Sequence, residues 1–315
     1  MKHPTALLSL LLGVLLSLSL ATADELNDIL EPLQVTERVY YFKGSLEGRT
    51  YENQAFNNNL AFVVTDDGVA LIDSGPSSQV GERVAQAVAT VTDQPIRWVI
   101  SSGSQDHRWL GNSYFADQGA EIIALKRTAE TQARFADQHM ARLTGILKAR
   151  LDGTRPMPAP KPVAAEHHAV TLGGVDFELI YGGDAHFPGD VLVWMPGEKT
   201  VFTSDIVYLD RMLGLHPWSD IRGWVEAFGA LEALEPEYVI PGHGQVADLA
   251  KARAETGDYL KAILAGVREG LENWEQLDET VGRLGEMTEF RHLTHYDEWH
   301  RMNINRAYLD LEANP

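Results

Sequence analysis

The 315-residue chain contains no cysteine, so it has no disulfide bonds and no thiolate ligand for a metal. Any metal must therefore be held by histidine and carboxylate side chains, a donor set that suits zinc. Positive charge is also scarce, since 26 Lys and Arg stand against 45 Asp and Glu and give a formal net charge of −19. Because such a surface repels phosphate backbones, we predict no nucleic-acid partner.

Long hydrophobic runs are confined to the N-terminus. Residues 1–23 have the pattern of a secretory signal: a basic start, a leucine-rich stretch from Ala6 to Leu20, and an Ala21-Thr22-Ala23 cleavage site. No later stretch approaches the ~20 apolar residues that a membrane span needs. We therefore predict export to a periplasm, with no membrane span after cleavage. An uncleaved N-terminal anchor is the alternative.

Short apolar runs and helical patterns alternate from residue 39 onwards. Runs at 60–64 and 69–72 flank an Asp-Asp-Gly turn and predict a β-hairpin. Residues 127–150 and 248–272 have helical spacing, and the last segment is mostly helical. This order predicts two β-rich layers with helices outside them. We divide the chain into a signal (1–23), one domain (24–272) and a C-terminal helical extension (273–315) that packs on it.

Acidic and imidazole side chains follow four predicted strands, in loops. Strand ends deliver side chains into a shared cleft, and glycines flank several of these positions. One such residue alone is a weak signal, but four in succession predict a site. They are Asp106-His107, His186, Asp205 and His243.

These motifs, in this order, resemble the metallo-β-lactamase superfamily over roughly residues 39–246. The resemblance implies an αββα sandwich with a metal site at one edge of the two sheets, acting on a small-molecule substrate. Residues 300–308, together with 205–208, are similar to a narrower branch of exported metallohydrolases associated with quinoprotein relay and sulfur-oxidation systems. That likeness implies periplasmic oxidoreductases as partners.

The resemblance assigns a complete ligand set to the second of the superfamily's two metal sites. Asp106, His107 and His243 match ligands of that site, and Asp205 matches the carboxylate that bridges both metals. Two imidazoles and two carboxylates suit one tetrahedral zinc ion. If Asp205 does not bind the zinc ion, one position in the coordination shell of the ion remains open for water.

The first metal site is degenerate. His186 matches one of its ligands, but Ser102 and Ser104 stand where the family has histidines. A serine hydroxyl is a poor zinc ligand at neutral pH, so we predict one zinc ion per chain. His186 would then be free to act as a general acid, a general base or an oxyanion donor. Asp106 and His186 are the candidate catalytic residues.

Three hypotheses remain open from the sequence. The chain is a mononuclear hydrolase, or a non-catalytic metal-binding or accessory protein of a periplasmic oxidation system, or a hydrolase whose first site is rebuilt from Gln105, Arg108 or His216. His216 and Trp109 are weaker candidates for the substrate cleft. We also expect that Asp73 orients the metal loop and that His139 is solvated. These last expectations concern residues outside the main motif.

Overall fold

The computed structural model describes residues 30–314, and the predicted secretory signal lies outside them. Two sheets form the centre of the fold. The first sheet has six strands in sequence order, antiparallel up to the fourth strand and parallel from there on. Its strands are β1 (Leu33–Gln34), β2 (Val39–Phe42), β3 (Leu60–Thr65), β4 (Gly68–Ile72), β5 (Ile96–Ile100) and β6 (Glu121–Ile123).

The second sheet has five strands in the order β11-β10-β9-β8-β7. Its neighbours are antiparallel except β10 and β11, which are parallel. The strands are β7 (His167–Leu172), β8 (Val175–Ile180), β9 (Leu192–Met195), β10 (Thr200–Phe202) and β11 (Tyr238–Ile240).

The predicted hairpin is confirmed as β3 and β4. Thr65 pairs with Gly68, so Asp66 and Asp67 form a two-residue loop. Both faces of β3 are buried. Alternate residues along the strand point to opposite sides of the sheet. Ala61 and Val63 face the second sheet, whereas residues 60 and 62 pack under helices on the outer side.

Helices cover the outer face of each sheet and complete the predicted αββα sandwich. Val80, Val84 and Val88 of α1 pack on the first sheet, and Trp224 and Phe228 of α5 pack on the second. The helices are α1 (Ser78–Val88), α2 (Asp106–Trp109), α3 (Asn112–Asp117), α4 (Lys126–Leu147), α5 (Ile221–Ala233), α6 (Leu249–Ala252), α7 (Asp258–Glu272), α8 (Leu277–Leu284) and α9 (Tyr296–Ala313).

The long helix predicted at 248–272 is α6 and α7 joined by one π-helical turn, Arg253–Gly257. Helix α9 packs along α7 and α8, so the predicted C-terminal extension lies against the second sheet's helices. Within residues 30–314, no helix is long and apolar enough to cross a membrane.

The sheet topology brings the loops that carry the motifs to one edge. Strands β4, β5 and β6 run parallel, as do β10 and β11, so the carboxyl ends within each group lie side by side. Asn59 joins the two sheets there, because its Nδ2 donates to the carbonyls of Pro241 and Gly244, at 2.9 and 2.8 Å. These two bonds fix the loop that carries His243.

Candidate metal centre

Asp73, which directly follows β4, holds the loop after β5 in place. Asp73 Oδ1 accepts from the Ser102 backbone N–H at 2.7 Å, and Oδ2 accepts from the Ser102 hydroxyl at 2.6 Å. The Ser104 hydroxyl donates to the carbonyl of Pro188 at 2.6 Å. Both hydroxyls are thus buried and bonded to protein acceptors. The structure places Asp73 where it orients the loop, as we expect from the sequence.

Three of the predicted ligands meet behind this loop. His107 Nε2 lies 3.1 Å from Asp205 Oδ2, and His243 Nε2 lies 3.0 Å from Asp205 Oδ1. One ligand atom from each of these three residues lies within 4.8 Å of the others, and all three side chains are buried. Tyr208 stacks on the His243 ring, with 4.5 Å between ring centroids. Strand-end loops therefore deliver two imidazoles and one carboxylate to one point.

Arg108 supplies a buried cation beneath the cluster. Its Nη2 and Nε donate to the two oxygens of Asp205, at 2.5 and 3.1 Å, and its Nη1 donates to Asp73 Oδ2 at 2.8 Å. The guanidinium has no exposed surface. Burial disfavours the charged form of Arg108, but Asp205 and Asp73 outweigh it and raise the pKa. One permanent cation therefore links two buried carboxylates from different sheets.

The surroundings set the protonation states of the cluster. Burial, the largest influence, lowers the pKa of His107 to about 3 and that of His243 to about 4. Both imidazoles are therefore neutral at pH 7, as metal ligands must be. Burial would raise the pKa of Asp205, but Arg108 and His107 outweigh it and hold that pKa well below its usual range.

Asp106 lies beside this cluster rather than within it. Its Oδ1 accepts from Arg49 Nη2 at 2.7 Å, and its Oδ2 lies 3.4 Å from Arg142 Nε. Burial would raise the pKa of Asp106, yet Arg49 and Arg142 lower it to about 2. Arg49 also donates to His107 Nδ1. The structure thus brings together three of the four predicted ligands, and pairs the fourth with arginines.

His186 lies near the cluster, on the wall of a small pocket. Its Nε2 lies 2.9 Å from Gln105 Nε2, its Nδ1 is buried without a partner, and its ring centroid is 5.0 Å from that of His216. Burial, the largest influence, lowers the pKa of His186 well below its ordinary value, so the ring is neutral. His216 is half-buried and lines the same pocket, as expected for a cleft residue.

The pocket has a volume of about 130 Å³ and opens above the cluster. Histidines 107, 186, 216 and 243 line it, together with Tyr208, Trp299 and the arginines 49, 142 and 211. These arginines are the functional candidates that the sequence analysis did not identify. They belong to no motif. The scarcity of cationic residues in this chain is the only sequence feature that could have drawn attention to them.

Two expectations about neighbouring aromatic residues are wrong. Trp109 does not line the pocket: it is fully buried, packs with Leu143 and Leu147 of α4, and donates from Nε1 to the carbonyl of Ser104 at 3.0 Å. His139 is not solvated either. It is buried on the inner face of α4, where its ring stacks against Phe135. Both residues support the loop from behind.

The residues present fit a metal ion in chemistry and in placement. Two neutral imidazoles and an ionised carboxylate are the donors that zinc accepts in cysteine-free sites. His243 Nδ1 is buried without a hydrogen-bond partner, so this imidazole has a ring nitrogen that no protein group uses. The arrangement can hold one ion through His107, Asp205 and His243.

Known proteins share both the sequence pattern and the fold. The chain is 26% identical over 251 residues to the 2,4-dinitroanisole O-demethylase subunit alpha of Nocardioides sp. (strain JS1661), a match that covers 73% of this chain and 71% of that protein. It is 21% identical over 198 residues to a metallo-beta-lactamase type 2 of Elizabethkingia meningoseptica, covering 62% of this chain and 72% of that protein.

Solved structures give the same fold. A metallo-beta-lactamase from Pontibacter korlensis superposes with a TM-score of 0.59 at 20% identity, over 73% of this chain and 98% of its own. The sec-alkylsulfatase Pisa1 from Pseudomonas sp. reaches 0.69 at 17% identity, over 90% of this chain and 50% of its own. The family model of the metallo-beta-lactamase superfamily matches residues 54–243, and the chain therefore belongs to that superfamily.

Proposed function

We propose that this chain is a metal-dependent hydrolase that works with a single zinc ion, held by His107, Asp205 and His243. The observation that carries the proposal is the buried cluster of these three side chains, whose ligand atoms lie within 4.8 Å of one another. Membership of a superfamily made up largely of hydrolases supports the reaction class.

The loss of the first site supports a single ion. The hydroxyls of Ser102 and Ser104 are bonded to Asp73 and to the carbonyl of Pro188, so neither is free to ligate. When bound, the ion supplies a Lewis acid that polarises the scissile group and activates water. His186 is neutral and lines the same pocket, so it is placed to hold or move a proton beside the substrate.

Asp106 acts in this proposal through its neighbours. Its carboxylate is ionised and offsets the charge of Arg49 and Arg142 at the pocket wall. A ligand role for Asp106 requires that its oxygens exchange these arginines for the metal, and it stays a prediction. The export predicted from residues 1–23 is part of the same proposal, and N-terminal sequencing of the secreted protein should find Asp24 as the first residue.

One observation favours a second function, that of a non-catalytic accessory protein. Arg108 donates to both oxygens of Asp205, so a buried cation already neutralises this carboxylate. Arg49 also donates to His107 Nδ1, which opposes the tautomer that frees Nε2 for a metal. A protein that retains only the fold would keep such a network.

Metal analysis separates the two functions. We expect about one equivalent of zinc in the purified full chain, and loss of that zinc in Asp205→Asn and His243→Ala. The matched control is His216→Ala, which removes an imidazole from the pocket but not from the cluster. Hydrolysis of ester, lactone, thioester or β-lactam substrates should disappear in the same two variants. A wild-type chain that binds no zinc and turns over none of these substrates would contradict the hydrolase and favour the accessory role.

A further inference from the structure

Positive charge is concentrated in the pocket above the cluster. Arg49, Arg142 and Arg211 line it, and no carboxylate is among the lining residues that the structure describes. The chain as a whole carries a formal net charge of −19. Three guanidinium groups around a cavity of about 130 Å³ are therefore a local reversal of the protein's charge. Such a cleft attracts anions, because its walls focus the field into the cavity.

Arg211 has no counter-charge of its own. The residue is only 8% exposed, and its Nε and Nη1 are buried without a hydrogen-bond partner. Among the negative groups that act on it, Asp205 is already bonded to Arg108, and Glu47 is exposed and lies 3.5 Å from His295 Nε2. A buried guanidinium stays charged, so its unbonded N–H groups call for an acceptor.

The other two arginines share a single carboxylate. Arg49 and Arg142 both pair with Asp106, and the Nε of Arg49 is buried without a partner. Three cations and one carboxylate leave the wall with an excess of positive charge.

We propose that this pocket binds an oxyanion group of the substrate, with Arg211 as its principal donor and Arg49 and Arg142 flanking it. The proposal rests on the proposed function, which it deepens by naming the substrate class: small molecules that carry a carboxylate, sulfate or phosphate group. The guanidinium fork matches such groups geometrically and forms charge-assisted hydrogen bonds with them. Arg211 is thus a specificity-determining residue, separate from the metal ligands.

Calorimetric titration with inorganic sulfate tests the site without any turnover. We expect sulfate to bind to the full chain both as purified and after removal of metal, and Arg211→Gln to weaken that binding by at least about tenfold. The matched control is Arg97→Gln, which makes the same charge change at an exposed ion pair with Asp67 and should bind sulfate like the wild type. Equal affinity in the wild type and Arg211→Gln, or binding that vanishes with the metal, would overturn the proposal.

A second variant covers the risk that Arg211→Gln does not fold. The side chain of Arg142 is 40% exposed, so Arg142→Gln should fold normally. We expect it to weaken sulfate binding by about two- to fivefold, since partly exposed charge interactions are weaker. Unchanged affinity in Arg142→Gln, where Arg211→Gln is not obtained, would contradict the proposal.

Paired substrates link the site to catalysis. A neutral 4-nitrophenyl ester and the same ester with a terminal carboxylate differ only in the anionic group. We expect Arg211→Gln to lower kcat/KM for the charged ester by about tenfold or more beyond any loss on the neutral ester, mainly through KM. An equal loss on both esters would overturn the proposal. If the wild type hydrolyses neither ester, the proposed function is contradicted, and the sulfate titration still decides on the oxyanion site.

Discussion

Replacing Arg108 with methionine removes the cation that joins the two sheets beneath the candidate metal centre. Methionine matches the aliphatic part of the arginine side chain and lacks the guanidinium, so the change deletes the charge and its hydrogen bonds. Asp205 loses donors at 2.5 and 3.1 Å, and Asp73 loses one at 2.8 Å. Both carboxylates are fully buried, so water cannot take over these bonds.

We expect Arg108→Met to lower the free energy of unfolding by about 3–5 kcal/mol, the range found when one partner of a buried ion pair is removed. This is a large share of the ~5–15 kcal/mol that stabilises a typical domain. Repacking offers little relief, because the guanidinium is enclosed: a Cβ added at Gly242 would lie 2.6 Å from Arg108 Nη2. Arg108→Lys should cost less, since it keeps the charge but not the fork that reaches both carboxylates.

Urea denaturation of the metal-free protein, followed by tryptophan fluorescence, measures this cost. The control is Arg97→Met, which breaks an exposed pair whose side chains are 50% and 63% exposed and should cost at most about 1 kcal/mol. If Arg108→Met is no less stable than Arg97→Met, the buried cation does not hold the two sheets together in the way we describe.

Three further predictions concern the metal and the ligands around it. Ser102→His combined with Ser104→His should raise bound zinc from one to two equivalents by mass spectrometry, because it restores the imidazoles of the first site. Arg49→Gln should tighten zinc binding in a competition with a chelator, because it frees Nδ1 of His107 and a neighbouring carboxylate. In the metal-free protein, burial holds the pKa of His107 at about 3 and that of His243 at about 4, against 6.5 when unfolded. Between the folded and the unfolded pKa, the unfolded chain therefore binds more protons than the folded chain. The urea midpoint should fall as the pH drops from 6.5 towards 4, and it should change little above pH 6.5.

The apolar runs and turns of the sequence predict two β-rich layers with helices outside them, and the family resemblance adds the αββα sandwich and the residues of the central cluster. Each sheet has clear apolar runs bounded by turns. Asp205 and His243 follow such runs closely, whereas His107 lies beyond the loop after β5, on the short helix α2. Strand ends are positioned by backbone pairing, so residues placed there meet in a way that a linear pattern can predict. Asp73 follows the same rule, and its bonds to Ser102 match its predicted role.

The remaining part of the site depends on packing that has no linear signal. Arg49 lies in a loop and Arg142 on helix α4, and only the tertiary fold brings both to Asp106. Their charges hold that carboxylate outside the cluster, although the motif places it beside His107. Trp109 likewise follows the motif directly, but α2 turns its indole towards α4 and away from the pocket.

The most direct test of a single zinc site is a crystal structure of the zinc-loaded chain, with anomalous data collected at the zinc edge. We predict one anomalous peak per chain, bonded to His107, His243 and Asp205. Two peaks, with the second beside His186, would contradict the loss of the first site. No peak among these three residues would contradict the metal centre itself.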